Sequence, residues 1–398
     1  MFKIKKFVLW ILVSLILIVL ITPGMIIAQD INFNLNSKSA ILMQFETGEI
    51  IYEKNSDLEL PPASMTKIMT MLLVMEALDE GRVSLDDKLV VSELAASMGG
   101  SQIWLEPGEE MTLEDIMKAI AIVSANDACV AVAEYLYGTE EAFVKRMNER
   151  AQELGLEHTY FYNTNGLPAE DSAEQENYTC ARDLAVMGRE LLEYPQVLEW
   201  TSTWIEYLRD GESVLNNTNR LVRDFKGADG IKTGYTDDAK FCLTSTAKQN
   251  KIRFIVVVMG ADDSKTRFNE SAKLLSYGFN TYKSLVAAEK EQEIVEIKVP
   301  NAREERVKAV AEKELVVPVK KGEEDNISTK YTVNKVIKAP LNRGDTIGKI
   351  KVYQGNLLIK EGNIIVNRDV ARANFFQLVL RVIQQSLVSL NNLNVFDK

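Results

Sequence analysis

The arrangement of apolar and polar positions changes character several times along the chain. The first 28 residues open with MFKIKK, continue as the apolar run FVLWILVSLILIVLI and leave through Thr22, Pro23, Gly24 and Ala28. A basic start, an apolar run and a small-residue exit describe a secretory signal. The run is also long enough to stay uncleaved as an anchor, and the sequence leaves both readings open. Next, SAILMQF and EIIYEKN flank Thr47 and Gly48, the pattern of two strands joined by a turn. The nearly all-apolar stretch Ser64–Met75 follows Pro61 and Pro62 and reads as a buried helix. Leu113–Tyr137 reads as helix, opened by a capping-box pattern at Thr112–Asp115. Glu141–Leu154 and Ala181–Leu192 read as two more. From Gly230, IKTGYT, KFCLTSTAK and IRFIVVVMGA are β-rich runs, and ESAKLLSYGFNTYKSLV returns to helix.

A charge run, AEKEQE at Ala288–Glu293, marks a boundary. Beyond it, IVEIKVP, LVVPVKKG, TKYTVNKVIK, TIGKIKVYQG, NLLIKEG and NIIV are short alternating strands separated by turn residues. The last segment is Val370–Lys398. At about 100° per residue, Phe375, Val379, Val382, Ile383, Leu390 and Leu393 share one face and Gln377, Arg381, Gln384, Gln385 and Asn392 the other. Polar residues interrupt the apolar run, so this predicts an amphipathic helix rather than a span. Packing on its own protein or on a twin is the alternative to a membrane surface, which the position at the end of an exported chain favours. The predicted organisation is a signal over 1–28, a first domain over 29–285, a small β-rich domain over 292–368 and the amphipathic helix over 370–398.

The 398 residues, 46% hydrophobic and 26% charged, are enough for two folded domains. A formal net charge of -11 argues against nucleic acid as a partner. Cys129, Cys180 and Cys242 are few, odd in number and scattered, which is neither a disulfide framework nor a zinc set. The single histidine, His158, excludes multi-histidine metal peptidases, and no G-x-S-x-G accompanies it. If the chain does nucleophilic chemistry, its base is something else.

Lys67 is out of place in its surroundings: an ammonium group in the first turn of an apolar helix, three residues after Ser64. Residues i and i+3 share a helix face. A serine hydroxyl is a poor nucleophile until a neighbour takes its proton. Burial lowers a lysine's pKa, so that Lys67 can be that neighbour. A helix N-terminus further favours developing negative charge. Alone, S-x-x-K also fits a snorkelling lysine beside a capping serine. It does not stand alone: Ser124-Ala125-Asn126 follows in IVSANDACV and Lys232-Thr233-Gly234 in DGIKTGYTDD, where a strand begins.

This ordered trio resembles the penicillin-recognising serine enzymes, with their S-x-x-K, S-x-N and K-T-G elements. The words PPASMTKIMT, SANDAC, NTNGLP and DGIKTGYT followed by FCLTSTA resemble one branch: the low-molecular-mass D-alanyl-D-alanine carboxypeptidases of penicillin-binding protein 5 type, serine peptidase family S11. The resemblance runs from about Asn32 to the C-terminus and implies the fold class. That class is an α/β (α+β) transpeptidase/β-lactamase-like domain, followed by a small all-β domain and a C-terminal amphipathic helix. It implies that Ser64 attacks the peptide bond between two terminal D-alanines with Lys67 as base, and that Ser124 relays a proton to the leaving nitrogen. Asn126 then binds the substrate amide, Lys232 and Thr233 its carboxylate, and Gly234 lets the strand edge approach. The backbone N–H groups of Ser64 and Tyr235 form the oxyanion hole. The implied partners are peptidoglycan stem peptides ending in D-Ala-D-Ala, β-lactams and a membrane surface, with no metal or cofactor. The implied location is the outer face of the bacterial cytoplasmic membrane, or secretion. Two departures stand out: Ala125, where glycine is common, and Cys180, where threonine or serine is more usual.

A class A β-lactamase shares the three motifs but needs a glutamate in an E-x-x-L-N pattern. Glu212–Asn216, ESVLN, matches that pattern but comes too late after Asn126, so it reads as a turn and strand. A non-catalytic cell-wall protein that kept the fold is expected to carry a damaged motif, and here every motif residue is present. Endopeptidase action on cross-links uses the same machinery and stays open.

Overall fold

Strands from both ends of the first domain close its sheet. The computed structural model describes residues 33–168 and 176–393, with side chains as far as Gln384. The segment read as a signal, 1–28, lies outside them. The described residues from Asn36 onward form one compact unit.

Strands β1 (Ser39–Gln44) and β2 (Ile50–Lys54) pair antiparallel about the Thr47–Gly48 turn, where Gly48 takes a φ of 72°. The Ser64 segment starts later as an α-helix than the pattern predicts. Ala63–Thr66 is one 3-10 turn, and α1 (Lys67–Asp79) follows. Then come β3 (Lys88–Val90), α2 (Glu93–Ala96), β4 (Glu110–Thr112) and α3 (Leu113–Ile122), capped by Thr112 Oγ1 accepting from Asp115 N. The predicted single helix Leu113–Tyr137 is two, because α4 (Asn126–Tyr137) starts afresh. The Asn126 N–H donates to Ser101 O rather than back along a helix, and Ser124 between the two takes a φ of 69°. Next are α5 (Glu140–Glu153), α6 (Ala181–Leu191), α7 (Val197–Thr201), the hairpin β5 (Ile205–Leu208) and β6 (Ser213–Asn216), and α8 (Leu221–Asp224). The matched pattern ESVLN is therefore hairpin, as expected.

The domain closes with β7 (Ala228–Thr236), β8 (Lys240–Gln249), β9 (Ile252–Ala261) and α9 (Ser264–Thr281). The sheet order is β2-β1-β9-β8-β7, so β7 lies at an edge. Every residue of β9 is buried, which explains its unbroken apolar run. Neighbouring residues in a strand point to opposite faces. Ile255 meets Gly188 of α6 and Phe254 meets Gly278 of α9, so the two helices cover opposite faces of the sheet. In α6, Cys180 is the N-cap: its Sγ accepts from Asp183 N at 3.4 Å, the task a threonine or serine performs.

The end of ESAKLLSYGFNTYKSLV is strand, not helix. Residues of β10 (Tyr282–Ala288) pair with β13 (Leu315–Lys320), whose ladder outweighs the local helical pattern. A five-stranded sheet follows in the order β11-β12-β16-β15-β14. Its members are β11 (Glu293–Lys298), β12 (Arg306–Ala311), β14 (Ile327–Val333), β15 (Thr346–Gln354) and β16 (Leu357–Val366). Strand β12 was missed in the sequence, and NLLIKEG and NIIV are one strand. The sheet's core includes Val307, Ala309, Ile350, Val352 and Ile364. Helix α10 (Phe375–Leu393) ends the described chain. Arg381 turns toward this sheet, donating to Arg303 O at 2.7 Å and to Glu305, while Phe375, Phe376, Leu380, Val382 and Ile383 are half or more exposed. No helix among the described residues is long and apolar enough to cross a membrane.

Candidate active site

The turn Ala63–Thr66 presents Ser64 half-buried at the start of α1, with Lys67 fully buried one turn on. Lys67 Nζ lies 3.0 Å from Ser64 Oγ, 2.7 Å from Asn126 Oδ1 and 2.7 Å from Asn165 O. Burial pulls its pKa down to about 8, against the opposing influence of Cys129 and Asp127. The three contacts suit a neutral amine. In that form two N–H bonds would serve the amide and carbonyl oxygens, which accept only, and the lone pair would be left for the Ser64 hydroxyl proton.

Ser124 sits in the break between α3 and α4, almost fully buried, and its Oγ has no hydrogen-bond partner among the described residues. A buried hydroxyl left unpaired is costly and marks a group waiting for one. Ala125 takes an ordinary φ of -58° and its methyl is fully buried, so no glycine is needed there. Asn126 is clamped: its N donates to Ser101 O and its Nδ2 to Gly99 O, both at 2.7 Å. Gly100 between them has a φ of 74°, and a Cβ there would lie 2.8 Å from Asn126 Nδ2. Asp127 fixes the same loop by accepting from Ile103 N and Leu105 N.

Lys232 on β7 is buried, and burial, with Lys67 nearby, holds its pKa well below the usual lysine value. Its Nζ donates to Thr233 O at 3.1 Å. Thr233 Oγ1 donates to Thr218 Oγ1 at 2.7 Å. Gly234 packs against the Ser64 turn: a Cβ would lie 2.7 Å from Pro62 O. That contact brings Gly234 and its neighbour Tyr235 alongside Ser64, and Arg267 Nη1 holds the strand by donating to Gly234 O and Cys242 O. The predicted residues Ser64, Lys67, Ser124, Asn126, Lys232, Thr233, Gly234 and Tyr235 thus gather where the 3-10 turn, the helix break and the edge strand meet.

Several participants were not read from sequence. Asn165 contributes only a backbone oxygen, which no side-chain pattern signals. The quoted word NTNGLP holds it: Asn163 Oδ1 accepts from Gly166 N, and Asn177 Nδ2 bridges to Thr66 Oγ1. Thr218 and Arg267 lie outside any motif. Elsewhere, His158 is a surface residue with Nδ1 3.0 Å from Glu59, and Glu212 is exposed in the β5–β6 hairpin. The three cysteines are buried and unpaired. Among the described residues no group of histidine, cysteine, aspartate and glutamate is arranged to hold a metal.

Comparison with known proteins shows the family. Residues 25–263 match the D-alanyl-D-alanine carboxypeptidase family, peptidase S11, and residues 282–372 match the penicillin-binding protein 5 C-terminal domain. The chain is 42% identical to the D-alanyl-D-alanine carboxypeptidase DacF of Bacillus subtilis, over 87% of this chain and 88% of that one. It is 32% identical to the D-alanyl-D-alanine carboxypeptidase DacC of Escherichia coli, over 86% of each. Penicillin binding protein 5 from Haemophilus influenzae superposes with a TM-score of 0.64 at 31% identity, covering 86% of this chain and 99% of that one. A peptidoglycan synthesis regulatory factor of Streptococcus pneumoniae gives a TM-score of 0.73 at 27% identity, covering 85% and 100%. The chain belongs to the D-alanyl-D-alanine carboxypeptidase family of serine peptidases, with the C-terminal domain of penicillin-binding protein 5.

Proposed function

We propose that this chain removes the terminal D-alanine from peptidoglycan stem peptides through an acyl-enzyme on Ser64, and that β-lactams acylate the same serine. The observation that carries this reading is the buried Lys67 amine 3.0 Å from Ser64 Oγ, with its pKa brought down to about 8. Neutral Lys67 takes the hydroxyl proton as Oγ attacks the penultimate D-alanine carbonyl. The oxyanion is held by the N–H groups of Ser64 and Tyr235. Asn126 positions the substrate amide, and Lys232 and Thr233 bind the terminal carboxylate. Ser124, whose Oγ is otherwise unpartnered, passes a proton to the departing amine, drawing on Lys67 and Lys232. Water then cleaves the ester and releases the shortened peptide.

Mass spectrometry of the exported portion tests this. A penicilloyl adduct on the Ser64 peptide and loss of one alanine from a D-Ala-D-Ala peptide are expected. Rapid penicillin turnover without a lasting adduct would instead indicate a β-lactamase, and neither event a binding protein.

We also place the enzyme at the outer face of the cytoplasmic membrane, held peripherally by α10. The exposed Phe375, Phe376, Leu380, Val382 and Ile383 support this, as does the basic and apolar N-terminal segment. Co-sedimentation with anionic phospholipid vesicles is expected for residues 29–398 and not for 29–373; equal sedimentation of both would remove the helix from the anchoring.

A further inference from the structure

Three tyrosines form an exposed aromatic patch on the segment that walls the active site. Tyr160 and Tyr178 pair across a short antiparallel bridge, N–H to carbonyl in both directions at 3.0 and 3.1 Å. Their rings stack with centroids 6.2 Å apart, and Tyr162 adds a third ring 4.8 Å from Tyr160. Tyr160, Tyr162 and Tyr178 remain 41%, 41% and 37% exposed. The Glu59 carboxylate and His158 imidazole, 3.0 Å apart and part-exposed, border the patch. None of the five is used by the chemistry proposed at Ser64.

Hydrogen bonds through the buried Asn177, Thr66 and Asn165 link the patch to the site. Tyr162 N donates to Asn177 Oδ1, and Asn177 reaches Thr66 beside Ser64. Three residues beyond Tyr162, Asn165 O accepts from Lys67. A bridge of two residues needs no three large rings, and exposed aromatic surface rimmed by polar groups marks a binding surface. Tyrosine rings offer a flat apolar face with a polar tip. The axial C–H face of a pyranose lies well on such a ring, while its hydroxyl and acetamido groups meet a carboxylate, an imidazole and phenol oxygens at the rim. The substrate supplies such rings, because a stem peptide is carried on a strand of β-1,4-linked N-acetylated amino sugars.

We infer that Tyr160, Tyr162 and Tyr178, with Glu59 and His158, form a subsite for the sugar rings of the glycan strand that carries the stem peptide. The inference rests on the carboxypeptidase reading. It assigns the patch a task in catalysis at a distance: binding energy from the non-reacting part of a substrate is available to hold the reacting part in place.

The test compares a free pentapeptide ending in D-Ala-D-Ala with the same peptide on a short glycan strand, using the exported chain. Tyr160→Ser and Tyr178→Ser are expected to lower kcat/KM about tenfold on the strand-borne peptide and less than about twofold on the free one. Equal effects on both substrates, or none, would overturn the subsite. A second measurement needs no variant. A peptide-free β-1,4-linked N-acetylglucosamine tetramer is expected to compete with the strand-borne peptide and not with the free one. Absence of competition up to its solubility limit would overturn the subsite too. Wild type that cleaves the free peptide but shows neither effect loses the subsite alone; wild type that cleaves neither loses the carboxypeptidase reading.

Discussion

The Thr233 hydroxyl donates to the Thr218 hydroxyl across 2.7 Å, and Thr218 N donates in turn to Ile122 O, two residues before Ser124. Thr218 therefore couples the edge strand to the helix break. In the proposed mechanism the Thr233 proton turns to the arriving carboxylate, and Thr218 donates to Thr233 in its place. Thr218→Val removes that donor at nearly constant volume. Steady-state kinetics on a D-Ala-D-Ala peptide are expected to show KM raised about 5–10-fold with kcat within about twofold, the size of one lost hydrogen bond. Thr218→Ser is expected to restore the wild-type KM.

The proposed mechanism makes acylation depend on pH through Lys67. Burial takes its pKa from 10.5 to about 8, so the base is protonated below that value. The penicillin acylation rate is expected to rise with pH up to about 8 and then level, as stopped-flow measurements from pH 6 to 9 will show. Stability follows the same shift. Between about 8 and 10.5 the unfolded lysine holds a proton that the folded one has released, so this group's contribution to stability increases with pH across that window.

Lys67→Ala removes the proposed base and leaves Asn126 Oδ1 and Asn165 O without their shared donor. Acylation is expected to fall by at least about 10³-fold. The fold is expected to survive, because the relief of a costly buried amine offsets part of the cost of the two acceptors left unpaired, and the melting temperature is expected to move by only a few degrees. Intact-protein mass spectrometry and a thermal melt read the two effects separately. Undiminished acylation in this variant would take Lys67 out of the mechanism.

Gly166 and Gly234 both press on the Ser64 turn, to different degrees. At Gly166 the φ is 83° and a Cβ would fall 1.9 Å from Ala63 O; at Gly234 it would fall 2.7 Å from Pro62 O. Both must displace backbone, so each alanine is expected to destabilise by about 1–3 kcal/mol, with Gly166→Ala at or beyond the upper end. Chemical denaturation and penicillin acylation together rank them, and Gly166→Ala is expected to be the weaker enzyme.

Cys180→Thr is expected to stabilise. The cap at α6 is a thiol accepting from Asp183 N at 3.4 Å, and a hydroxyl accepts better. A gain of about 0.5–1 kcal/mol is expected from urea denaturation; a loss would mean that the buried site has no room for the extra methyl.

The side chains to which catalysis is assigned were nameable from sequence because each proposed role needs its own residue type: a hydroxyl at 64, an amine at 67, an amide at 126. The strands were legible where alternation or an unbroken apolar run reflects burial, as in β9. The break at Ser124 was not, since the apolar periodicity of α3 runs on into α4 while the Asn126 N–H finds its partner in Ser101. The strand Tyr282–Ala288 was misread for a related reason, its partner lying at Leu315–Lys320. Asn165 O and the Gly100 and Gly166 turns were hidden because their work is done by backbone or by shape, which a side-chain pattern does not record, and Thr218 because a lone hydroxyl far from every motif names no partner.

The sheet order has a consequence for how the chain comes into being. Strand β1 has its inner partner in β9, with Ser39 opposite Met259. Everything that emerges first from a ribosome or a translocation pore must therefore wait for residues made much later. Loop closure over that span is slow, so the early segments stay open while the rest is synthesised. Such a chain is threadable for longer, and the proposed site around Ser64 is incomplete until the edge strand β7 arrives and β9 closes the sheet.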